Sequence, residues 1–178
     1  GVDIINDISS FTKTGAGNDG GAGGNTFNAA VQINNSGTGY ILTGNTNPDI
    51  FNAVLNISNS STSVIYLAHN SAGNLFNQNI LIEATGTNNG IRFGQGGGAP
   101  SATLADGMTI TTTGAGVTAG DHSFRYFTQS GGTPQSLNFS GTAYFRSRNS
   151  SWGGSLTIVA PRVITENSVY SGAVSFNK

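Results

Sequence analysis

The chain has 178 residues, enough for one domain of ordinary size with a continuous core. Only 8% of residues are charged and the net charge is −1, which points away from nucleic acid and from an anionic membrane surface as partners. With 27 glycines and 21 asparagines the composition leans toward disorder, but 36% hydrophobic residues set in a pattern argue for a turn-rich β protein.

There is no cysteine, so the redox compartment is left open; a solenoid with a continuous core needs no disulfide. No apolar run reaches the length of a membrane span and the first residues carry no signal-peptide pattern. The expectation is that any export signal lies outside this piece of sequence.

Near the start, Ser10-Phe11-Thr12-Lys13 matches Ser175-Phe176-Asn177-Lys178 at the far end, 165 positions on. Lys13 and Lys178 are the only lysines, which strengthens a short match. The chain therefore reads as the tail of one repeat, residues 1–13, followed by one complete repeat, residues 14–178. The glycine-rich stretch Gly15 to Gly24 fits neither a calcium nonapeptide repeat nor a phosphate loop, since it occurs once and lacks Gly-Lys-Ser/Thr. It is expected to be a flexible turn, with no calcium at Asp19.

From Phe27 onward a shorter motif recurs: a large residue, three spacers, then apolar–polar–apolar. It runs Phe27/Val31/Ile33, Phe51/Leu55/Ile57, Phe76/Ile80/Ile82 and Leu104/Met108/Ile110. A weaker copy is led by Thr133, with Leu137 and Phe139, before Trp152/Leu156/Ile158 and Tyr170/Val174/Phe176. Six steps separate these leads, and one more from Tyr170 to the next expected Phe completes the same 165 residues.

Each unit carries a second short segment: Tyr40-Ile41-Leu42, Ile65-Tyr66-Leu67, Ile91-Arg92-Phe93 and Phe124-Arg125-Tyr126. The turns between are expected at Asn34 to Gly39, Ser58 to Val64 and Glu83 to Gly90. Period-two alternation bounded by turn residues predicts strands with one buried face, and no segment offers a convincing helix. The fold expected is all-β, a parallel β-solenoid of about seven coils of 18–29 residues, open at both ends. An antiparallel sandwich is the competing architecture, and it seldom repeats an aromatic lead this regularly.

In this register Val31, Leu55, Ile80 and Met108 point inward as one stack, and Ile33, Ile57, Ile82 and Ile110 as another. Asn28, Asn52 and Asn77 each follow the lead Phe and are expected to form an amide ladder along the axis. A one-residue slip would then bury the amides unpaired.

The phrases Asn25-Thr26-Phe27-Asn28, Gly44-Asn45-Thr46-Asn47-Pro48-Asp49-Ile50-Phe51-Asn52 and Tyr66-Leu67-Ala68-His69-Asn70 resemble the β-strand repeats of giant secreted surface proteins of Bacteroidota. The resemblance spans roughly residues 14 to 178. It implies an adhesin-like or stalk-like protein exported by the type 9 secretion system, extracellular and attached to the cell surface. Its motifs are structural and supply no active-site residues.

Parallel β-helices also host polysaccharide lyases and hydrolases, which need paired carboxylates or a metal beside a basic residue. Asp49, Asp106 and Glu83 stand at different offsets from their leads, so no catalytic residue is assigned and no enzyme is expected. His69 and His122 lie in different coils without a third ligand at metal spacing, and both read as surface residues. No metal or cofactor site is assigned. The threonines from Thr109 to Thr113 do not repeat in the aligned outward positions, so an ice-binding face is not expected.

One surface feature stands out. The outward middle position of the second strand is read as Ile41, Tyr66, Arg92 and Arg125, continuing near Tyr144, Arg146 and Arg162. An aromatic and arginine stack that shields a sheet is the plainer interpretation. The functional one makes Tyr66, Arg92, Arg125 and Arg146 a docking face for an anionic glycan or a neighbouring rod. The function expected is a structural repeat of a long extracellular stalk or adhesin, meeting adjacent copies end to end, with lateral rods or surface polysaccharide as further partners. The alternative is a carbohydrate-binding or carbohydrate-cleaving β-helix domain.

Overall fold

The computed structural model describes residues 2–87, 90–96 and 101–178. Every regular element among them is a β-strand, and the strands wind as coils of three. The first coil is β1 (Ile4–Ile5), β2 (Ser9–Lys13) and β3 (Asp19–Gly20). The next is β4 (Thr26–Phe27), β5 (Val31–Asn35) and β6 (Ile41–Leu42). Coil three holds β7 (Ile50–Phe51), β8 (Leu55–Asn59) and β9 (Ile65–Leu67). In coil four these become β10 (Asn74–Phe76), β11 (Ile80–Ala84) and β12 (Ile91–Phe93). The fifth contains β13 (Ala102–Leu104), β14 (Ile110–Val117) and β15 (Asp121–Arg125). Then come β16 (Phe127–Gln129), β17 (Gln135–Asn138) and β18 (Tyr144–Arg148). Coil seven is β19 (Ser151–Trp152), β20 (Leu156–Val159) and β21 (Arg162–Glu166), and an eighth begins with β22 (Val169–Tyr170) and β23 (Val174–Asn177).

Strands three apart in the chain pair in parallel, giving an eight-stranded wall, a seven-stranded wall, and a wall of five plus three strands. This is a parallel β-solenoid. Alternation puts one side chain in two inside, and the inside is a single core running from Phe27 to Ile158. Phe27 stacks on Phe51 at 4.9 Å and Phe51 on Phe76 at 5.1 Å, nearly parallel. Further along, the aromatic core shifts to Phe93 and Phe124, stacked at 5.0 Å, with Phe127, Phe145 and Trp152 beside them.

The first wall carries the lead residues in one inward column: Ile5, Phe27, Phe51, Phe76, Leu104, Gln129, Trp152 and Tyr170. Thr133 is therefore not a lead. Gln129 holds that place, fully buried, with its amide donating to the Thr133 carbonyl. A polar residue in an apolar column hides the coil from a pattern search, and the nearest apolar pair was fitted two residues out of register.

The same shift affects the second wall. Ile110, not Met108, pairs with Ile80, and Thr112 stands opposite Ile82. Met108 only packs against the edge of the core. Beyond Thr112 the β14 strand bulges through Gly114 and Gly116, both at positive φ, before Val117 meets Ala84. There the backbone ladder breaks, and the Gln135 side chain bridges the gap. Its Oε1 accepts from the Ile110 N–H at 2.8 Å and its Nε2 donates to the Met108 carbonyl at 3.0 Å.

The strands β5, β8 and β11 run two residues into the turns the sequence suggested, ending at Asn35, Asn59 and Ala84. Asn35 and Asn59 point inward and tie their own turns: Asn59 donates to Ser63 and Gly90 carbonyls and accepts from Ser61. Asn88 and Asn89 of the third expected turn lie outside the described residues. The Gly15 to Gly24 stretch is more than a turn, since Asp19-Gly20 pairs with Ile41-Leu42 as the first strand of the third wall. Lys13, buried in the column of Asn35, reaches Asp19 at 3.0 Å.

The corner after the third wall uses one left-handed residue in each of the second to seventh coils: Gly44, Ala68, Gly94, Tyr126, Asn149 and Asn167, with φ between 48° and 65°. Gly44 has a second reason to be glycine, because a Cβ there would come within 2.5 Å of the Asn74 Oδ1. The four non-glycine corners and their strain are tolerated because the flanking strands fix the turn.

On the outer face of the first wall, Asn28 Nδ2 donates to Asn6, Asn52 to Asn28 and Asn77 to Asn52, each at 2.8 Å. The amide ladder thus exists and extends one coil further than expected. It lies on the exposed face, so a one-residue slip would turn the lead aromatics outward and carry the amides inside.

Candidate functional site

The third wall presents an outward grid on β15, β18 and β21. Alternation sends Asp121, Ser123 and Arg125 outward, then Tyr144, Arg146 and Arg148, then Arg162, Ile164 and Glu166. Arg92 of β12 stands beside Ser123 and Tyr66 of β9 beside Arg92. All five arginines of the chain therefore lie on this wall.

Of the four residues singled out, Tyr66, Arg92 and Arg146 share one column. Arg125 does not: Ser123 occupies its expected place, and Arg125 pairs with Arg148 in the next column. Ile41 likewise turns inward beside Ile65, leaving Leu42 next to Tyr66. Phe124 matches Phe93, so Phe124-Arg125-Tyr126 is not the counterpart of Ile91-Arg92-Phe93 that its pattern suggests. Tyr126 is the left-handed corner, not a strand residue.

Charge on the grid is largely compensated. Asp121 lies 3.4 Å from the Arg92 Nη2 and 3.9 Å from the Arg146 Nε, and Arg148 lies 3.1 Å from Glu166. At 3.9 Å the Arg146 contact is an ion pair without a hydrogen bond, and neither the Arg146 Nε nor the Asp121 Oδ1 has a hydrogen-bond partner elsewhere. Ser123 is sealed under this cluster, accepting from the Gln95 amide at 2.8 Å. Arg125 and Arg162 have no carboxylate among the described residues. Arg125 lies over the Tyr126 ring at 5.0 Å and donates to the Gln95 carbonyl at 3.3 Å, and Arg162 lies over Tyr144 at 5.3 Å.

These contacts shape the tyrosines. The hydrogen bond with Arg125 holds the Tyr126 phenol below its usual range, while burial and the Asp121 charge push Tyr144 upward. Toward the other end of the wall, Tyr40, Tyr66 and His69 form an edge-to-face row at 5.8 and 5.0 Å. The face thus offers cationic groups on aromatic supports, suited to holding anions or sugar rings by their surfaces.

His122 is not a surface residue. It is 2% exposed, its Nε2–H donates to the Ala119 carbonyl and its Nδ1 accepts from the Ile91 N–H. Burial holds it neutral, with a pKa lowered to about 4. His69 is half-buried and also lowered by burial. Asp49 is buried, accepting from the Asn25 N–H and side-chain amide, and burial raises its pKa. Among the described residues no three His, Asp or Glu side chains gather as a metal-binding group. Among the described residues no helix is long and apolar enough to cross a membrane.

Asp121 and Ser123 are absent from the stripe read in the sequence. An alternation count from Arg125 back to Asp121 would have found both missed residues. No family model, curated protein or solved structure matches the chain.

Proposed function

We propose that this chain is a structural repeat of a long extracellular stalk or adhesin, supplying rigid length at a cell surface. One observation carries the reading. A shift of 165 residues takes β1 to β22 and β2 to β23, so Ile5 falls on Tyr170 and Phe11 on Phe176 in the same columns. The eighth coil is the first coil over again. Residues 1–13 are then the tail of a preceding repeat and 14–178 one complete unit.

Stacked coils make a stiff element, because each strand is tied to both neighbours by a backbone ladder and a packed core. The resemblance to secreted Bacteroidota repeats supports the extracellular, surface-attached setting. Sequencing the coding region beyond Lys178 tests the proposal. The reading expects a further copy in the 165-residue period, beginning near the equivalent of Thr14. A catalytic module following a lone copy would replace it with the carbohydrate alternative.

The grid on the third wall favours a second role as a carbohydrate-binding surface. Arg125 and Arg162 lack carboxylate partners among the described residues, and both rest on tyrosine rings. An acidic surface polysaccharide fits them, and a neighbouring rod is the competing partner.

A further inference from the structure

Along the third wall the outward groups change in kind. In coils two and three they are rings: Tyr40, just before β6, Tyr66 on β9, and His69 at the corner, each half-buried and set edge to face. In coils four to seven they are cations, with five arginines against Asp121 and Glu166 in a chain whose net charge is −1. The two segments abut without an offset. Tyr66 and Arg92 hold one column on neighbouring strands, and Arg146 follows in that column two strands on. At ~4.8 Å per strand, the five steps from coil two to coil seven make a track ~24 Å long.

The track has a direction. The neighbouring second wall turns Gln32, Asn34, Asn56, Ser58 and Glu83 outward, which are amides, a hydroxyl and a carboxylate. A polyanion lying across the rod leaves the arginines within one strand length and finds no cation among those side chains. One lying along the axis keeps arginines beneath it for four strands and then reaches the tyrosines.

We propose that a single acidic polysaccharide chain lies along the axis of the third wall, its acid groups at Arg125 and Arg162 and its sugar rings on Tyr40 and Tyr66. The inference rests on the carbohydrate-binding role of this wall, and adds to it an uncharged segment and an orientation. The two segments attract by different physics. Cations on a solvated face act at a distance and weaken as salt rises. Aromatic faces take up the C–H surface of a sugar in short-range contact, which salt does not screen. In an edge-to-face pair the ring that contributes its edge keeps its own faces clear of its partner, so the row is not closed on itself. A neutral glycan would leave the arginines unused, and a small anion would leave the tyrosines unused. A polymer carrying both acid groups and sugar rings occupies the whole track.

Salt separates the two segments. Tyr40→Leu/Tyr66→Leu keeps apolar cover on the sheet and removes the rings. It is expected to weaken binding to a long polyuronate several-fold, while the dependence of affinity on salt stays that of the parent. Arg125→Ala/Arg162→Ala is expected to weaken binding and to flatten the salt dependence. Single variants carry the same test with less disturbance of the fold. Tyr66→Phe, which keeps the ring, is expected to bind as the parent does, and Tyr66→Leu to bind less tightly. Equal binding by those two would overturn the track and leave the arginine surface standing. A double tyrosine variant that loses affinity and salt dependence together would also overturn it, since the rings would then act only through the arginines. A parent that binds no polyuronate even at low salt would overturn the track and the carbohydrate surface together.

Discussion

Phe11 and Phe176 occupy the same inward column of the second wall, 165 residues apart, and both are about half exposed because each lies on a terminal coil. Between them the column holds Ile33, Ile57, Ile82, Leu137 and Ile158, all buried, and the half-buried Thr112. The two phenylalanines mark where a continuous core is cut.

The column makes Ile57 a sensitive position. It is 3% exposed, between Ile33 and Ile82. Ile57→Asp is expected to cost several kcal/mol, roughly the scale of burying an unpaired charge. Denaturant unfolding measures it, and an Ile57→Asp midpoint equal to that of the parent would place Ile57 on the outer face.

The two kinds of asparagine should respond differently. Asn52→Ala removes two exposed amide contacts, about 1 kcal/mol in total for bonds that water can replace. Asn59→Ala leaves the Ser63 and Gly90 carbonyls and the Ser61 donors without their buried partner, about 2–4 kcal/mol by the cost of unsatisfied groups. Equal losses in urea unfolding would show that the turns are not held by Asn59.

Acid should weaken the fold through His122. Its folded pKa of about 4 lies below the ordinary 6.5, so the unfolded chain takes up the proton first. Stability from this group is full above pH 6.5 and falls as pH drops toward 4, by roughly 3 kcal/mol from the linkage relation. Asp49, with its pKa raised, works in the opposite sense and gains stability as pH falls toward its ordinary range. Unfolding titrations of parent and His122→Gln should diverge between pH 6.5 and 4. Parallel curves would remove His122 from the account.

On the third wall, the arginines without carboxylate partners are the ones to change. Removing Arg92 or Arg146 would also take one of its two cationic partners from Asp121 and confound binding with stability. Arg125→Ala/Arg162→Ala is expected to keep the melting temperature within a few degrees. It should weaken binding to a polyuronate at least several-fold, with binding of the parent falling as salt rises. Undiminished binding in the variant would leave these arginines as cover for the sheet. Binding absent from the parent, with lateral bundling lost in the variant, would favour a neighbouring rod.

Most of the architecture was legible because it is periodic. Phe27, Phe51 and Phe76 repeat a bulky lead, and aliphatic residues four and six places on repeat the inward positions. Legibility failed where chemistry broke the period. Gln129 substitutes hydrogen bonds for an apolar contact, and two extra residues in the corner between Leu104 and Ile110 move Thr112 into a place read as Ile110. At the candidate site the missing signal was the corner. Nothing in Phe124-Arg125-Tyr126 distinguishes a strand from a strand end, because Tyr126 reaches positive φ without being glycine. His122 read as exposed because its two partners, the Ala119 carbonyl and the Ile91 N–H, are backbone groups that carry no side-chain pattern.

The length of covalent arrays tests the central claim most directly. Small-angle scattering from chains of one, two and three copies should show the maximum dimension rising by about 34 Å per added copy, seven coils at ~4.8 Å each. The cross-section should stay constant. Added copies that move independently, like beads on a flexible tether with no fixed increment, would contradict a continuous solenoid and the stalk built from it.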